Sequence, residues 1–187
     1  MSRTPCKENC PRCLSDERIV VKTESLVPSI LSEDDCCDDF HCRKDELNKF
    51  IHEEAIPFQK ERLGTTYLFM NDKKTVGFVT LLMANIRRES LDGDNKPEVG
   101  KGQFPALQIG QLAVDVKYED NDIGTYLLDW SVGFALTTSD RIGCRFVVLD
   151  AERQVLDFYE KYGFRMIKRQ DTRVRPTLYI DIISALQ

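Results

Sequence analysis

The sequence feature that most constrains the fold of this chain is a strand that leads through a polar turn into an amphipathic helix. A buried strand follows that helix. Leu107–Val114 is predicted to be the first strand, and Arg145–Leu149 the second. A strand, helix and strand in this order form a crossover unit, which indicates an α/β (α+β) fold with a mixed sheet. Six side chains share the apolar helix face that begins near Gly124, namely Ile123, Tyr126, Leu127, Trp130, Phe134 and Thr138.

Shorter patterns on either side complete the predicted sheet. Thr65–Met70 and Thr75–Ile86 flank a polar turn, which is typical of a hairpin. Gly163 is in the usual position to end a helix that begins near Glu152. We therefore expect a mixed sheet of about six to seven strands with helices on both faces. The other predicted elements are strands at Ile19–Thr23, Phe164–Lys168 and Thr177–Ile182, a helical stretch from Asp45 that Pro57 divides in two, and a long loop over Arg87–Gly102.

Size and charge limit the classes of protein. With 187 residues, 42% of them hydrophobic, we expect one domain over 1–187, with residues 1–17 as a cysteine-containing extension. No stretch reaches ~20 apolar residues and no signal peptide is evident, so we expect a cytoplasmic protein without a membrane partner. The net charge of −5 disfavours broad nucleic-acid binding. Arg165–Arg175, with five cations and one acid, is interpreted as a solvated turn or a local anion contact.

Seven cysteines raise the alternative of a structural zinc site. In a chain without a secretory signal we expect thiols rather than disulfides. Their spacing matches no zinc signature closely, so we expect no metal. The competing interpretation is a tail followed by the acidic loop Ser32–Asp39. The residues that would supply zinc ligands are Cys6, Cys10, Cys13, Cys36, Cys37, His41 and Cys42.

The turn before the central helix is where chemistry is expected. The first amides of a helix have no partners within it, and the macrodipole favours negative charge there, so phosphates bind well. Gly124 at the start of this helix would let a ligand approach the backbone closely. One glycine before a helix is a weak signal by itself.

Two signatures resemble the GNAT superfamily of acetyl-CoA-dependent N-acetyltransferases. The first resembles its central motif, and the second is similar to its helix ending in Phe-Tyr-x-x-x-Gly-Phe. Segments from Phe40 to Leu81 further resemble the branch that includes toxins acetylating aminoacyl-tRNA. The resemblance implies the GNAT fold and acetyl-CoA as the acetyl donor. The matching segments are Leu107–Asp115 with Ile123–Leu128, and Leu149–Ala151 with Asp157–Phe164.

The resemblance also implies a set of donor-binding residues. The amide of Leu112 or Ala113 would point at the thioester oxygen, where the two central strands diverge. Amides further along would contact pantetheine and pyrophosphate. The implied residues are Leu112, Ala113, Val114, Asn121, Asp122, Ile123, Gly124 and Thr125.

The pyrophosphate loop departs from the family pattern. Glu119 and Asp122 stand at two of its three defining positions, and only Gly124 matches. Together with Asp120, these acids would repel phosphate. The family grips pyrophosphate mainly through backbone amides, so the loop is compatible both with binding and with its loss.

Tyr159 matches the tyrosine that the family uses as general acid toward the departing thiolate. A phenol, with an ordinary pKa of about 10, is a suitable donor. The alternative is that Phe158, Tyr159 and Tyr162 form the buried stripe of an amphipathic helix. We predict no general base, because His52 is typical of a packing or surface residue, and no nucleophile, because Cys144 is typical of a small core residue.

Three functions remain open from the sequence. The first is an N-acetyltransferase in which a primary amine attacks acetyl-CoA directly in a ternary complex. The second is a toxin-like enzyme acting on aminoacyl-tRNA, which the acidic net charge disfavours. The third is a binding domain that has the fold and lacks catalysis. The expected partners are acetyl-CoA, an amine-bearing acceptor and a second copy of the chain in a homodimer.

Overall fold

Seven strands and four α-helical segments make up the described part of the chain. The computed structural model describes residues 21–184 apart from Cys36, Asp94, Asn95 and Asp171. The expected extension at residues 1–17 lies outside these residues. The strands are β1 Val27–Ile30, β2 Thr65–Asn71, β3 Lys74–Arg87, β4 Gln103–Val114, β5 Phe146–Asp150, β6 Arg165–Met166 and β7 Thr177–Asp181. The helices are α1 Asp45–Lys49, α2 Ala55–Lys60, α3 Ile123–Ser139 and α4 Leu156–Tyr162.

All seven strands belong to one mixed sheet, in the order β1-β2-β3-β4-β5-β7-β6. Only β4 and β5 are parallel among the described strands, and α3 connects them. Every other neighbouring pair is antiparallel. The predicted crossover unit and mixed sheet are therefore confirmed.

Helices cover both faces of the sheet, as predicted. On one face, α3 and α4 pack through Leu127 and Leu156 in a cluster that includes Phe69. On the other face, the α1–α2 region packs through Phe50 in a cluster that includes Leu68. Neighbouring residues of a strand point to opposite faces, so adjacent Leu68 and Phe69 anchor the two layers. Burying each such side chain stabilises the fold by about 2 kcal/mol.

The first strand differs from the prediction. A strand was expected at Ile19–Thr23, but Thr23–Ser25 forms a turn of 3₁₀ helix and β1 begins at Val27. Ile19 and Val20 lie outside the described residues. β1 is an edge strand, where Pro28 can lack an amide donor without breaking the ladder. Because Pro28 is atypical of a strand, the sequence did not predict β1.

The helical stretch is interrupted, but Pro57 is not the point of division. Phe50–Glu54 form a π-helical turn between α1 and α2, and the amide of Ala55 bonds to the carbonyl of Phe50. This longer hydrogen-bonded turn changes the helical register before the proline is reached. Pro57 lies after this turn, within α2.

The predicted hairpin and helix cap are confirmed. Asp72 and Lys73 join β2 to β3 with φ values of 47° and 67°, the geometry of a tight turn that matches strand twist. Gly163 ends α4 in the left-handed region at φ 113°. The last two predicted strands are present as β6 and β7, although β6 has only two residues.

Two further sequence expectations concern membranes and metals. Within residues 21–184 as described, no helix is long and apolar enough to cross a membrane. The same residues contain no group of three or more His, Cys, Asp or Glu side chains arranged for a metal ion. Cys37 and Cys42 are buried free thiols. The other cysteines of the candidate zinc set, Cys6, Cys10, Cys13 and Cys36, lie outside the described residues.

Candidate active site

β4 and β5 diverge at the centre of the sheet. Their parallel pairing runs from Ala106 opposite Phe146 to Ile109 opposite Leu149, and it ends there. β4 nevertheless continues to Val114 along β3. Beyond Ile109, the edge of β4 that faces away from β3 has no strand partner in the described sheet. Its backbone groups are therefore available to a ligand.

A β-bulge at Gly110 marks the point of divergence. The register between β3 and β4 shifts between Thr80 and Leu81, which leaves Gly110 without an opposite residue. A Cβ atom at Gly110 would lie 2.6 Å from Leu82 Cδ2, so a larger residue requires Leu82 to move. Bulges bend the strand that carries them. This bulge therefore lies where β4 has to leave β5.

The divergence opens a cleft of about 100 Å³. Gly110–Leu112 line one side, Leu149–Glu152 line the other, and Tyr159 of α4 also lines it. Leu112, one of the predicted donor-binding residues, is thus in the wall. The next predicted residue, Ala113, buries its methyl group among the α1–α2 contacts, so its backbone is the part available to a ligand.

α3 begins directly after the turn that was predicted to hold phosphate. The carbonyl of Asp122, its N-cap residue, accepts a hydrogen bond from the amide of Tyr126. The amides of Ile123, Gly124 and Thr125 precede that bond and have no partner within the helix. Three predicted donor-binding residues therefore share one helix end that attracts anions.

Asn121 shapes this turn through its side chain. Its amide group donates to the carbonyls of Tyr118 at 3.1 Å and Glu119 at 3.2 Å. Its Oδ1 accepts a hydrogen bond from the amide of Val21 at 3.1 Å. The polar atoms of the side chain are thus used within the protein, so a contribution of Asn121 to ligand binding would come from its backbone.

The acidic charge of the turn is partly neutralised. Glu119 forms an ion pair with Arg43 at 2.5 Å. Asp120 and Asp122 are exposed, and their φ values are 66° and 55°. Glycine adopts this left-handed conformation most readily, and aspartate is among the few other residues that tolerate it. The turn therefore has a backbone conformation that favours glycine, but aspartates with exposed carboxylates occupy it.

Tyr159 presents a phenol to the cleft. Its ring packs edge-on against Phe158 and Phe164, with centroids 5.2 Å and 5.9 Å away. Among the described residues, none forms a hydrogen bond with its hydroxyl. Burial raises the pKa of Tyr159 above its ordinary value, because a phenolate would lose its hydration there. The group is therefore a protonated donor.

The other two aromatic residues of the predicted stripe differ from Tyr159. Phe158 is 38% exposed and lies near the start of α3, where a Cβ at Gly124 would be 3.6 Å from its ring. Tyr162 donates a hydrogen bond to Asp129 at 2.7 Å. The α4 aromatics therefore do not form one uniformly buried stripe.

Asp115, His52 and Cys144 have the surroundings of residues that support the fold. Asp115 is 1% exposed, and its carboxylate accepts hydrogen bonds from the amides of His41 at 2.9 Å and Lys117 at 2.8 Å. His52 Nε2 lies 3.0 Å from the carbonyl of Cys37. Cys144 is buried, and desolvation raises the pKa of its thiol. None of the three residues lines the cleft.

A network of four charged side chains at the mouth of the cleft was missed by sequence reasoning. Lys44 pairs with Glu152 at 2.9 Å. Arg175 contacts Glu152 at 3.2 Å and also pairs with Glu46. We refer to Lys44, Glu46, Glu152 and Arg175 as the mouth network. Glu152 follows the carboxyl end of a parallel strand, where ligands bind in α/β sheets, and this was the signal available in the sequence.

Comparisons with known proteins agree with this geometry. The model of the Acetyltransferase (GNAT) family matches residues 29–164. A tRNA-acetylating toxin of Mycobacterium tuberculosis (strain ATCC 25618 / H37Rv) is 22% identical over 143 residues, covering 74% of this chain and 84% of the relative. AtaT complexed with acetyl-methionyl-tRNAfMet has a TM-score of 0.78 at 18% identity, covering 86% of this chain and 97% of that chain. AtaTR bound with AcCoA has a TM-score of 0.72 at 18% identity, covering 86% and 96%.

Proposed function

The chain belongs to the GNAT family of acetyltransferases, and on that premise we propose that it acetylates the α-amino group of an aminoacyl-tRNA with Tyr159 as general acid. Acetyl-CoA is the acetyl donor. The observation that carries the proposal is the cleft between β4 and β5, because it brings unpaired strand backbone and a half-buried phenol together. One sheet contains every described strand, which supports a single catalytic domain.

The residues of the cleft fit the donor. The edge of β4 beyond Ile109 has no strand partner among the described strands, and we assign the backbone donors for the thioester and pantetheine to Leu112, Ala113 and Val114 on this edge. Residues 121–125 present the start of α3 to the pyrophosphate. This assignment rests on amides, which bind anions whatever the side chain at the same position.

The chemistry requires three changes at the thioester. The neutral acceptor nitrogen forms a bond to the acetyl carbon and releases a proton to water, the carbon–sulfur bond breaks, and the sulfur takes a proton from Tyr159, which regains one from water. Backbone amides of β4 stabilise the negative charge that develops on the carbonyl oxygen. Because burial raises the pKa of Tyr159, the phenol holds its proton at neutral pH until the thiolate departs.

The choice of acceptor is supported by the relatives and by local charge. The curated relative is named a tRNA-acetylating toxin, and AtaT was solved with acetyl-methionyl-tRNAfMet. The basic segment Arg165–Arg175 ends at the mouth network, so a phosphate-rich acceptor would meet cations beside the cleft. The net charge of −5 limits binding elsewhere on the surface. The expected homodimer stays a prediction.

Acetyl transfer to a mixed pool of aminoacyl-tRNAs tests the proposal. We expect N-acetylated amino acids after alkaline release from the tRNA, detected by mass spectrometry, and none from deacylated tRNA. Polyamines and peptides serve as competing acceptors in the same assay. A higher kcat/KM for those amines would show that the acceptor is wrong. Absence of acetyl-CoA binding by calorimetry would overturn the donor site as well.

A further inference from the structure

The mouth network joins three separate parts of the fold. Lys44 and Glu46 belong to the start of α1, Glu152 follows β5, and Arg175 belongs to the loop between β6 and β7. All four line the cleft. The amide of Ala151 bonds to the carbonyl of Pro176 at 3.0 Å, which holds this loop beside Glu152. The network therefore crosses the entrance and is not confined to one side of it.

The cleft is small for the reaction it serves. Its volume is about 100 Å³, whereas pockets that enclose a small-molecule ligand usually measure about 300–1,000 Å³. An acetyl thioester and an aminoacyl group must both reach Tyr159. Both have to pass the side chains of the mouth network, which line the cleft.

The network is easily exchanged for other charged partners. Arg175 is 51% exposed and Glu46 is 57% exposed, and exposed ion pairs are weak because water competes for both charges. Glu152 is the shared member and is 25% exposed. The bond from Lys44 is the main cause that lowers the pKa of Glu152, with Arg175 adding to it. Glu152 is thus an anion that keeps two cations in place.

We propose that the mouth network is a latch over the acceptor entrance, which an acceptor carrying both phosphate and ammonium opens by exchanging ion partners. Phosphates of the acceptor take Lys44 and Arg175, and the released carboxylate of Glu152 receives its ammonium group. Guanidinium binds phosphate at least as well as carboxylate, so the exchange preserves the charge-assisted bonds. The phosphate part of this inference rests on the proposed tRNA acceptor.

The proposed latch predicts opposite effects of the same substitution on the acetylation of two acceptors. Arg175→Gln removes the ion pairs of Arg175 with Glu46 and Glu152 and one of the two phosphate contacts. Acetylation of an aminoacyl-tRNA should then show a KM raised about tenfold, with little change in kcat. Acetylation of an amino-acid methyl ester, which has no phosphate, should become several-fold faster because the entrance is open. Glu46→Gln, which frees Arg175 on one side, should also speed up the ester reaction.

A control variant and a change in salt concentration complete the test. Lys49→Gln breaks the exposed ion pair of Lys49 with Glu54 in the adjoining helical segment and should leave both acceptors unaffected. Raising salt from roughly 0.1 to 0.5 M weakens exposed pairs, so it should accelerate ester acetylation more in the wild type than in Arg175→Gln, which retains only the pair of Lys44 with Glu152. Thermal melting of each variant checks that the fold is intact.

Two outcomes would overturn the latch, and a third would overturn its phosphate exchange. Equal losses for both acceptors in Arg175→Gln would make Arg175 a structural residue. Ester rates in Glu46→Gln that match those of Lys49→Gln would show that the network does not restrict entry. A wild type that acetylates the ester but no aminoacyl-tRNA overturns the proposed acceptor and the phosphate exchange, while the ester rates still decide whether the network closes the cleft.

Discussion

At the scale of single residues, the phenol of Tyr159 can be separated from its ring. Tyr159→Phe removes the proton donor but keeps the contacts with Phe158 and Phe164. We expect kcat to fall roughly 100-fold or more, since general acid catalysis typically contributes 10²–10⁴, while calorimetry shows unchanged acetyl-CoA binding. Tyr162→Phe is the control, because that hydroxyl bonds to Asp129 outside the cleft. Similar losses of kcat in both variants would contradict the assignment.

The same residue determines a pH dependence. Burial raises the pKa of Tyr159 above its ordinary value, so the acid form persists as pH rises and is lost only above about 10. We therefore expect kcat not to fall between about pH 7 and 9.5. A loss of kcat near pH 8 by a protein that is still folded, absent from Tyr159→Phe, would show that the phenol is more acidic than its burial implies.

Asp122 places a carboxylate at the helix end proposed to bind pyrophosphate. Its φ of 55° suits glycine, and its side chain makes no capping bond. Asp122→Gly should therefore tighten acetyl-CoA binding roughly two- to fivefold, the usual size of charge effects at a helix end. Asp120→Gly is matched in charge and backbone conformation, with φ 66°, but it lies outside the helix end. Calorimetry that gives the same gain for both would argue against a specific role of position 122.

At the scale of elements, the features that the sequence predicted correctly are those specified by residues close together in the chain. The hairpin at Asp72–Lys73, the cap at Gly163 and the start of α3 are each specified by neighbouring residues, and all three were predicted. β1 was missed because Pro28 is tolerated only on an edge, and strand order is not visible in a single sequence. The mouth network was missed because Glu46 and Arg175 are 129 positions apart.

The bulge in β4 links packing to the shape of the cleft. A methyl group at Gly110 would press on Leu82, whose Cδ2 would be 2.6 Å away. We expect Gly110→Ala to lower the free energy of unfolding by about 1 kcal/mol, a typical cost of overpacking, and Leu82→Ala to offset part of that loss in the double variant. Urea unfolding measures both.

Gly133 provides the control for this prediction. It lies inside α3, and a methyl group there would meet no atom from another part of the described fold within 4 Å. Gly133→Ala should therefore stabilise the protein by about 0.5–1 kcal/mol through helix propensity. Additive effects of Gly110→Ala and Leu82→Ala would mean that the two side chains do not compete for the same space.

At the scale of the whole molecule, the placement of charge matters more than its sum. The net charge is −5, yet the loop between β6 and β7 carries Lys168, Arg169 and Arg173 and leads to Arg175 at the cleft. Arg153 donates to the carbonyl of Arg173 at 2.9 Å, which ties the loop to the segment before α4. A polyanion is therefore attracted to one edge of an otherwise acidic protein.

Two variants with the same net charge test this arrangement. Arg169→Gln and Lys60→Gln each make the net charge one unit more negative than −5, but Lys60, at the end of α2, pairs with Glu33 outside the cleft. For acetylation of aminoacyl-tRNA, the slope of log kcat/KM against log salt should become shallower by about 1 with Arg169→Gln, as expected for one lost phosphate contact. Lys60→Gln should keep the wild-type slope. Equal changes in the two variants would mean that total charge, and not the loop beside the cleft, governs how this protein meets its acceptor.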